Sequence, residues 1–341
     1  MLALALSLFL NFIITYLLFI YYKKSKIYEF YPKVSVIISA WNEEKTIESV
    51  VERVKNQNYK NDYEIIIIGG GEDKTAEICK KLSKNKKIKF IEEKNSKGKY
   101  YCLNKALEKS KYDYIAIIDA DSFAKTDWLK KIINPLFKKN IHISIGLQGD
   151  KEKKIPGQDI LIFLIQSVFS GLLKLGIACW ADGANMAFKK EVWKKVKFQN
   201  YLLEDYAFVL IAKKMGFHAA AADNNIVDSE QPRNLKDYYK RNSRFYRGLL
   251  ELSPKFPIVI IHPISLWALG LVLYYFDKSI LLINLLFLLI WAAAIKLKNK
   301  TKLGPIQFLN FIFLLILFFI FSFFYSLEYL NPQKRKEWTR I

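Results

Sequence analysis

Only three cysteines occur in the 341 residues, Cys79, Cys102 and Cys179, and none lies in a C-x-x-C or zinc-ligand spacing. A disulfide scaffold is excluded, and the three read as free thiols in a reducing compartment. Internal repeats and low-complexity linkers are also lacking. Acidic residues are few beside basic ones, 32 against 53, which leaves a formal net charge of +21. That excess suits solubility, nucleic acid, anionic lipid or a phosphorylated substrate, and where the charges sit must decide. Apolar residues are plentiful. A hydrophobic content of 52% excludes a disordered chain, and the length fits two units, one of them a membrane unit.

Residues 2–22, LALALSLFLNFIITYLLFIYY, carry no charge and are long enough to cross a bilayer. The basic residues Lys23, Lys24 and Lys26 follow this run rather than precede it. That order argues for an uncleaved anchor over 1–26 with the chain continuing in the cytosol, not for a signal peptide. Three further apolar stretches, 257–276, 279–295 and 306–330, predict about three C-terminal spans within 257–330 and a multi-pass protein of the cell membrane. The loop KLKNKTK between the last two belongs in the cytosol by its lysines, yet the 331–341 tail is basic too and would emerge on the opposite face. A fifth stretch, 160–180, lies between motifs that must share one folded domain. It is expected to be an interface helix or a buried core helix, not a span.

Between these segments, residues 30–250 alternate strands and helices. VSVIISA (34–40), EIIIIGG (64–70), KIKFIEE (87–93) and YIAIIDADS (114–122) read as buried strands. Amphipathic helices separate them, the first running from Asn42, a candidate N-cap. This βαβα order predicts an α/β fold with a mostly parallel sheet and a ligand at the carboxyl ends of its strands.

Several residues at those ends can carry chemistry. Asp119 and Asp121 close a strand, where two carboxylates at i and i+2 reach one hard cation, although a solvated loop has the same pattern. Gly98-Lys99 before a helix suits a phosphate, weakly so among 46 lysines. Glu204-Asp205 opens a helix-like stretch and reads either as dipole matching or as a general base with a neighbour. Arginine is the more telling cation. Of only seven in the chain, Arg241, Arg244 and Arg247 fall within seven residues, with Arg233 nearby. Where lysine is the default, such clustering points to planar, bidentate recognition of a diphosphate; a juxtamembrane patch for anionic lipid is the alternative.

The segments PKVSVIISAWNEE, EIIIIGGGEDKT, GKYYCLNKAL, IAIIDADS, DGANMAFKKEVW, LLEDYAFVLIAKKMGF and RNSRFYRG resemble, in order and spacing, the family 2 glycosyltransferases. The membrane-integrated branch with ceramide glucosyltransferase and the hyaluronan, chitin and cellulose synthases is most similar. The resemblance implies a GT-A nucleotide-diphospho-sugar transferase domain over 30–250. It implies that Asn42 and Glu43 line the nucleotide pocket, that Lys99 and Asp119 hold the nucleotide sugar, and that Asp121, with Asp119, holds Mg2+ or Mn2+. Asp205 would be the base, with Glu204 its neighbour, and Arg241, Arg244 and Phe245 would meet the diphosphate.

Two departures stand out. Gly69-Gly70 replaces an aspartate pair of which one member reads the base, which puts uracil in question. Phe245 replaces the tryptophan of Q/R-x-x-R-W. The implied activity is metal-dependent, inverting transfer from a nucleotide-diphospho-sugar, a UDP-sugar before a GDP-sugar, to a membrane lipid or lipid-linked acceptor by a cytosolic domain. The runner-up is a processive polysaccharide synthase with export. A remote third reading is a non-catalytic nucleotide-sugar binder, against which the retained acids weigh. Nucleic acid is excluded as a partner, since it explains neither the apolar stretches nor the acids.

Overall fold

In the computed structural model, which describes residues 2–22, 26–95, 97–176, 181–252, 279–299 and 303–330, the chain divides into a sheet unit and a helical unit. The sheet unit comprises 24–151 and 172–230. The helical unit comprises the described residues of 1–23, 152–171 and 231–341.

The sheet unit is organised by β1 (Val34–Trp41), whose Val34, Val36, Ile37 and Ile38 are buried. It pairs in parallel with β2 (Tyr63–Gly70) on one side and β4 (Tyr114–Asp119) on the other, and β3 (Ile88–Glu92) extends the parallel run beyond β2. Side chains alternate between two cores, because successive residues of a strand point to opposite faces. Val36, Ile38, Ile65 and Ile67 meet Val50, Val51 and Val54 of α2 (Ile47–Lys55). Ile37, Ile66 and Ile68 meet Leu103, Ala106 and Leu107 of α4 (Lys99–Lys109). Burial on both faces explains why these strands are continuous apolar runs.

The other half of the sheet departs from the expected parallel arrangement. The full order is β3-β2-β1-β4-β7-β6-β8-β5. Here β5 is Ser122–Phe123, β6 Ile143–Asp150, β7 Asn185–Lys189 and β8 Ala219–Ser229. β7 runs antiparallel to both β4 and β6, β6 and β8 are parallel, and β5 is antiparallel to β8. The sheet is therefore mixed. Asn42 does not cap α2, since Thr46 immediately precedes the helix and Asn42 sits four residues earlier at φ +57°. The remaining helices of this unit are α3 (Thr75–Leu82), α5 (Trp128–Ile133), α7 (Lys190–Lys195) and α8 (Glu204–Lys214).

The helical unit holds α1 (Leu2–Tyr22), α9 (Leu235–Leu252), α10 (Ser279–Asn299) and α11 (Pro305–Leu330). α6 (Gln158–Lys174) runs from this unit into the sheet unit. Asn11 of α1 donates to Asn284 of α10 at 2.8 Å, both fully buried, and the Trp291 indole donates to Thr15 at 3.1 Å. α6 is packed as a core helix. Ile160, Leu161, Leu164 and Val168 are buried, and an added methyl at Gly171 would stand 2.6 Å from the Leu17 carbonyl oxygen of α1. Among the described residues no helix is long and apolar enough to cross a membrane. The sequences expected to span at 2–22, 279–295 and 306–330 are nevertheless helical, in elements of 21, 21 and 26 residues. The 257–276 stretch and the basic tail lie outside the described residues.

The tip of β2 explains its glycines. Gly69 has φ +148°, and a Cβ there would lie 1.7 Å from the Ala40 carbonyl oxygen; at Gly70 it would lie 2.4 Å from that of Glu93. Backbone atoms cannot yield as a flexible side chain does. Gly69→Ala should therefore lower stability by at least about 2 kcal/mol, read as a shift in the unfolding midpoint. An unchanged midpoint would show that this strand tip is not crowded.

Candidate active site

The carboxyl ends of β1, β2 and β4 form one edge, as parallel register requires, with Ser39 of β1 beside Asp119 of β4. Asn42 turns the chain off β1. Its side-chain oxygen accepts the Glu72 N–H at 2.8 Å, which ties the β1 turn to the β2 turn. Asparagine tolerates this left-handed backbone better than other non-glycine residues. The Glu43 N–H donates to Thr75 Oγ1 at 2.7 Å, and Glu43 Oε2 accepts the Thr46 hydroxyl at 2.9 Å. Burial raises the Glu43 carboxyl to about 7; the Thr46 bond opposes this, and Asp121, Asp119 and Glu230 add to it.

Lys99 opens α4 after Gly98, whose φ of +89° suits a residue without a side chain. Its ammonium lies 2.6 Å from Asp119 Oδ1 and 3.7 Å from Glu204 Oε1. Burial disfavours this charge, but Asp119, Glu204 and Asp205 outweigh burial and hold the ammonium above its ordinary range. Burial raises the Glu204 carboxyl, Lys99 opposes the rise, and Asp205 reinforces it. Asp121 is likewise raised, by burial and then by Asp119. Its Oδ1 accepts the Ser122 hydroxyl at 3.3 Å, and Ser122 in turn meets Ser229 of β8 at 2.8 Å.

Glu204 and Asp205 stand in the first turn of α8, so the dipole-matching reading holds for their position. They also do more than match a dipole, because their side chains diverge. Glu204 faces Lys99, whereas Asp205 Oδ2 accepts the Gly183 N–H at 2.6 Å and Oδ1 the Tyr206 N–H at 2.8 Å.

The structure thus places Asn42, Glu43, Lys99, Asp119, Asp121, Glu204 and Asp205 in the sheet unit, with Lys99, Asp119 and Glu204 in direct contact. Arg241, Arg244 and Phe245 lie on α9 of the helical unit, where Arg241 donates to Gln231. Sequence reasoning assigned nothing to Asp182, Gly183 or Gln148, although DGANMAF was a recognisable segment. Asp182 Oδ1 accepts Gln148 Nε2 at 2.7 Å and the Ala184 N–H at 3.1 Å. Its carboxyl is raised to about 7 by burial, then by Asp205 and Asp119.

Among the described residues no group of three or more His, Cys, Asp or Glu side chains could by itself hold a metal ion. Two carboxylates on one strand end, crowded by further acids, fit an ion that takes its remaining ligands from substrate phosphates.

This mixed sheet, with its acids and lysine at the carboxyl edge, is a GT-A-like fold. Residues 35–173 match Glycosyl transferase family 2, and residues 114–326 match Glycosyl transferase family group 2. An uncharacterized glycosyltransferase of Haemophilus influenzae is 39% identical over 277 residues, 73% of this chain and 82% of that one. A poly-beta-1,6-N-acetyl-D-glucosamine synthase of Staphylococcus aureus is 31% identical over 94 residues, 28% of this chain and 23% of that one. The solved mannosyltransferase PcManGT from Pyrobaculum calidifontis, in complex with GDP-Man and Mn2+, superposes with a TM-score of 0.60 at 17% identity, covering 95% of this chain and 99% of that one. The chain belongs to the family 2 glycosyltransferases.

The raised carboxyls have a thermodynamic consequence. Glu43 and Asp182 ionise near 7 when folded but at 4.5 and 3.8 ordinarily, so between those limits the folded state holds protons that the unfolded state has lost. Their contribution to stability therefore falls as pH rises from about 4 to 7. Glu43→Gln and Asp182→Asn cannot ionise. In chelator, each should gain stability relative to the parent protein as pH rises through this window. Parallel melting-temperature profiles for parent and variants would exclude the assignment.

Proposed function

We propose that the chain is an inverting, metal-assisted glycosyltransferase seated in the cell membrane. It moves one sugar from a nucleotide-diphospho-sugar to a hydroxyl of a membrane lipid or lipid-linked acceptor. The observation that carries this reading is the division of labour at the sheet edge. Lys99 is committed to Asp119 and Glu204, while Asp205 is held apart by two backbone N–H groups, ready to accept a proton.

The reaction is a single displacement. The acceptor oxygen attacks the anomeric carbon as Asp205 takes its proton, and the bond from that carbon to the diphosphate oxygen breaks with inversion. The sugar passes through an oxocarbenium-like state, and negative charge builds on the leaving diphosphate. Lys99 and Asp119 orient the donor, and Asn42 and Glu43 line the nucleotide pocket. Asp121 with Asp119 would hold a divalent ion such as Mg2+ or Mn2+, which when bound would supply neutralisation of the departing charge. The crowded tip of β2 carries Gly69 and Gly70 and no carboxylate to read a base, so a GDP-sugar stands beside a UDP-sugar as donor. The GDP-Man bound by the Pyrobaculum calidifontis enzyme fits that view.

Membrane seating is supported by the exposed faces of the long helices. Phe9, Phe12 and Phe19 of α1, Leu282 and Leu286 of α10, and Ile306 and Leu309 of α11 are all more than half exposed. Apolar surface on that scale is covered in a stable protein, and lipid is the cover that suits a lipid acceptor. We expect the full chain to stay in the membrane pellet through alkaline carbonate washing; release into the supernatant would refute membrane seating.

The activity is tested with membranes containing the full chain, total membrane lipid and a panel of UDP- and GDP-sugars, scored for nucleotide release. Turnover should require a divalent metal. Asp121→Asn should lower it about 100-fold, the scale of losing one major electrostatic stabiliser. Asp205→Asn should lower it about 100- to 10,000-fold with donor binding retained, and Glu204→Gln should cost less. Full activity in excess chelator would remove the metal from the scheme, and normal turnover by Asp205→Asn would remove the base.

A further inference from the structure

The turn that leads into β7 is built more rigidly than a surface connection needs. Asn185, fully buried, accepts the Trp128 indole N–H at 2.9 Å and donates to the carbonyls of Leu147 and Asn225 at 2.9 and 3.0 Å. It also donates its own N–H to the Asp182 carbonyl at 3.0 Å. The Asp182 side chain folds back onto the same turn through the Ala184 N–H and is braced from β6 by Gln148. Within this frame the Gly183 N–H reaches Asp205 Oδ2 at 2.6 Å.

Space at Gly183 is the second observation. It is not among the glycines with positive φ, so backbone conformation does not demand glycine there. A Cβ would instead stand 3.0 Å from Asp205 Oδ2, 3.2 Å from its Cβ and 3.3 Å from its Cγ. Any side chain at 183 must displace Asp205 or itself by a few tenths of an ångström.

We propose that Asp182 and Gly183, braced by Gln148, are positioning residues for the reaction: they fix the Asp205 carboxylate through a backbone donor and so set the direction in which its free lone pairs face. The proposal rests on the reading of Asp205 as the base. An N–H held in a hydrogen-bonded turn neither titrates nor swings through rotamers, unlike a hydroxyl or an ammonium. Because Asp182 is buried beside Asp205, its carboxamide analogue should preserve the turn, since asparagine has the same shape and accepts the Ala184 N–H in the same way.

The test uses the full chain in membranes, with whichever of UDP-glucose or GDP-mannose is turned over and total membrane lipid as acceptor. Gly183→Ala and Asp182→Ala should each lower kcat about 10- to 100-fold, the scale of a sub-ångström to 1 Å misplacement, with donor KM within about twofold of the parent. Asp182→Asn should recover most of that loss. Gly183→Ala should add nothing further to Asp205→Asn, because residues that act as a unit are not additive. Thermal unfolding shows which variants are folded, and if Asp182→Ala is not, Gly183→Ala alone and combined with Asp205→Asn decides. If Asp205→Asn is inactive while Gly183→Ala retains parental kcat, the base stands and the positioning role falls. Raised donor KM with kcat intact, or Asp182→Asn as impaired as Asp182→Ala, overturns the role as well. Normal turnover by Asp205→Asn fails the underlying reading instead, and is recognised by that variant alone.

Discussion

One ammonium organises the site. Lys99 is drawn to Asp119 from the end of β4 and to Glu204 from the start of α8, and these contacts fasten α4, β4 and α8 at a single point. The balance of charge there is uneven. Asp121, Asp182 and Asp205 belong to the same edge, and the upward displacement of Asp121 and Asp182 registers mutual repulsion on top of burial. Burial of like charges is destabilising, so nothing in folding alone favours this arrangement. In the proposed reaction, a phosphorylated donor arriving with a divalent cation would change the sign of the local problem, because the cation would answer the acids and Lys99 the phosphate. Acids beyond what one lysine can neutralise thus fit the proposed charged complex better than they fit stability.

The sheet converts this constraint into geometry. Parallel pairing of β1 with β4 brings Ser39 level with Asp119, so the acids emerge where the strands end together. The antiparallel insertion of β7 between β4 and β6 then carries the 182–185 turn to the same edge from the opposite direction. Without that reversal the turn's N–H groups would lie at the far end of the sheet. Gly146 of β6 makes room for it, since a Cβ there would stand 2.1 Å from the Asn185 amide nitrogen.

This explains which parts could be read from the sequence. β1, β2 and β4 are buried on both faces, so each is rich in apolar residues, and β2 and β4 end in visible glycines or an acid. β6 and β8, ISIGLQGD and AAAADNNIVDS, mix small and polar residues whose partners lie far along the chain, and no local period betrays them. Asp119, Asp121, Glu204 and Asp205 were legible as motif residues. That Lys99 would pair with Glu204, that Asn42 would brace a neighbouring turn instead of capping a helix, and that Asp182 would serve the Asp205 turn all depend on long-range register. The 160–180 stretch was ambiguous for a related reason, since lipid and protein interior select the same apolar residues. Contact of Gly171 with the α1 backbone decides for packing.

Glu204 and Asp205 show how adjacent, chemically similar residues acquire different work. Neighbours at a helix start project about 100° apart, so no single partner can satisfy both carboxylates. Glu204 has an extra methylene and 8% side-chain exposure, and it reaches back to a lysine already engaged by Asp119. Asp205 is shorter and closer to its own backbone, and it accepts the N–H groups of Gly183 and Tyr206. The ion pair turns the Glu204 carboxylate toward Lys99. Asp205 is held by two backbone N–H groups, which fix its orientation. The difference between the two residues lies less in their intrinsic chemistry than in which element faces each, and that is set by the reversal of a single strand.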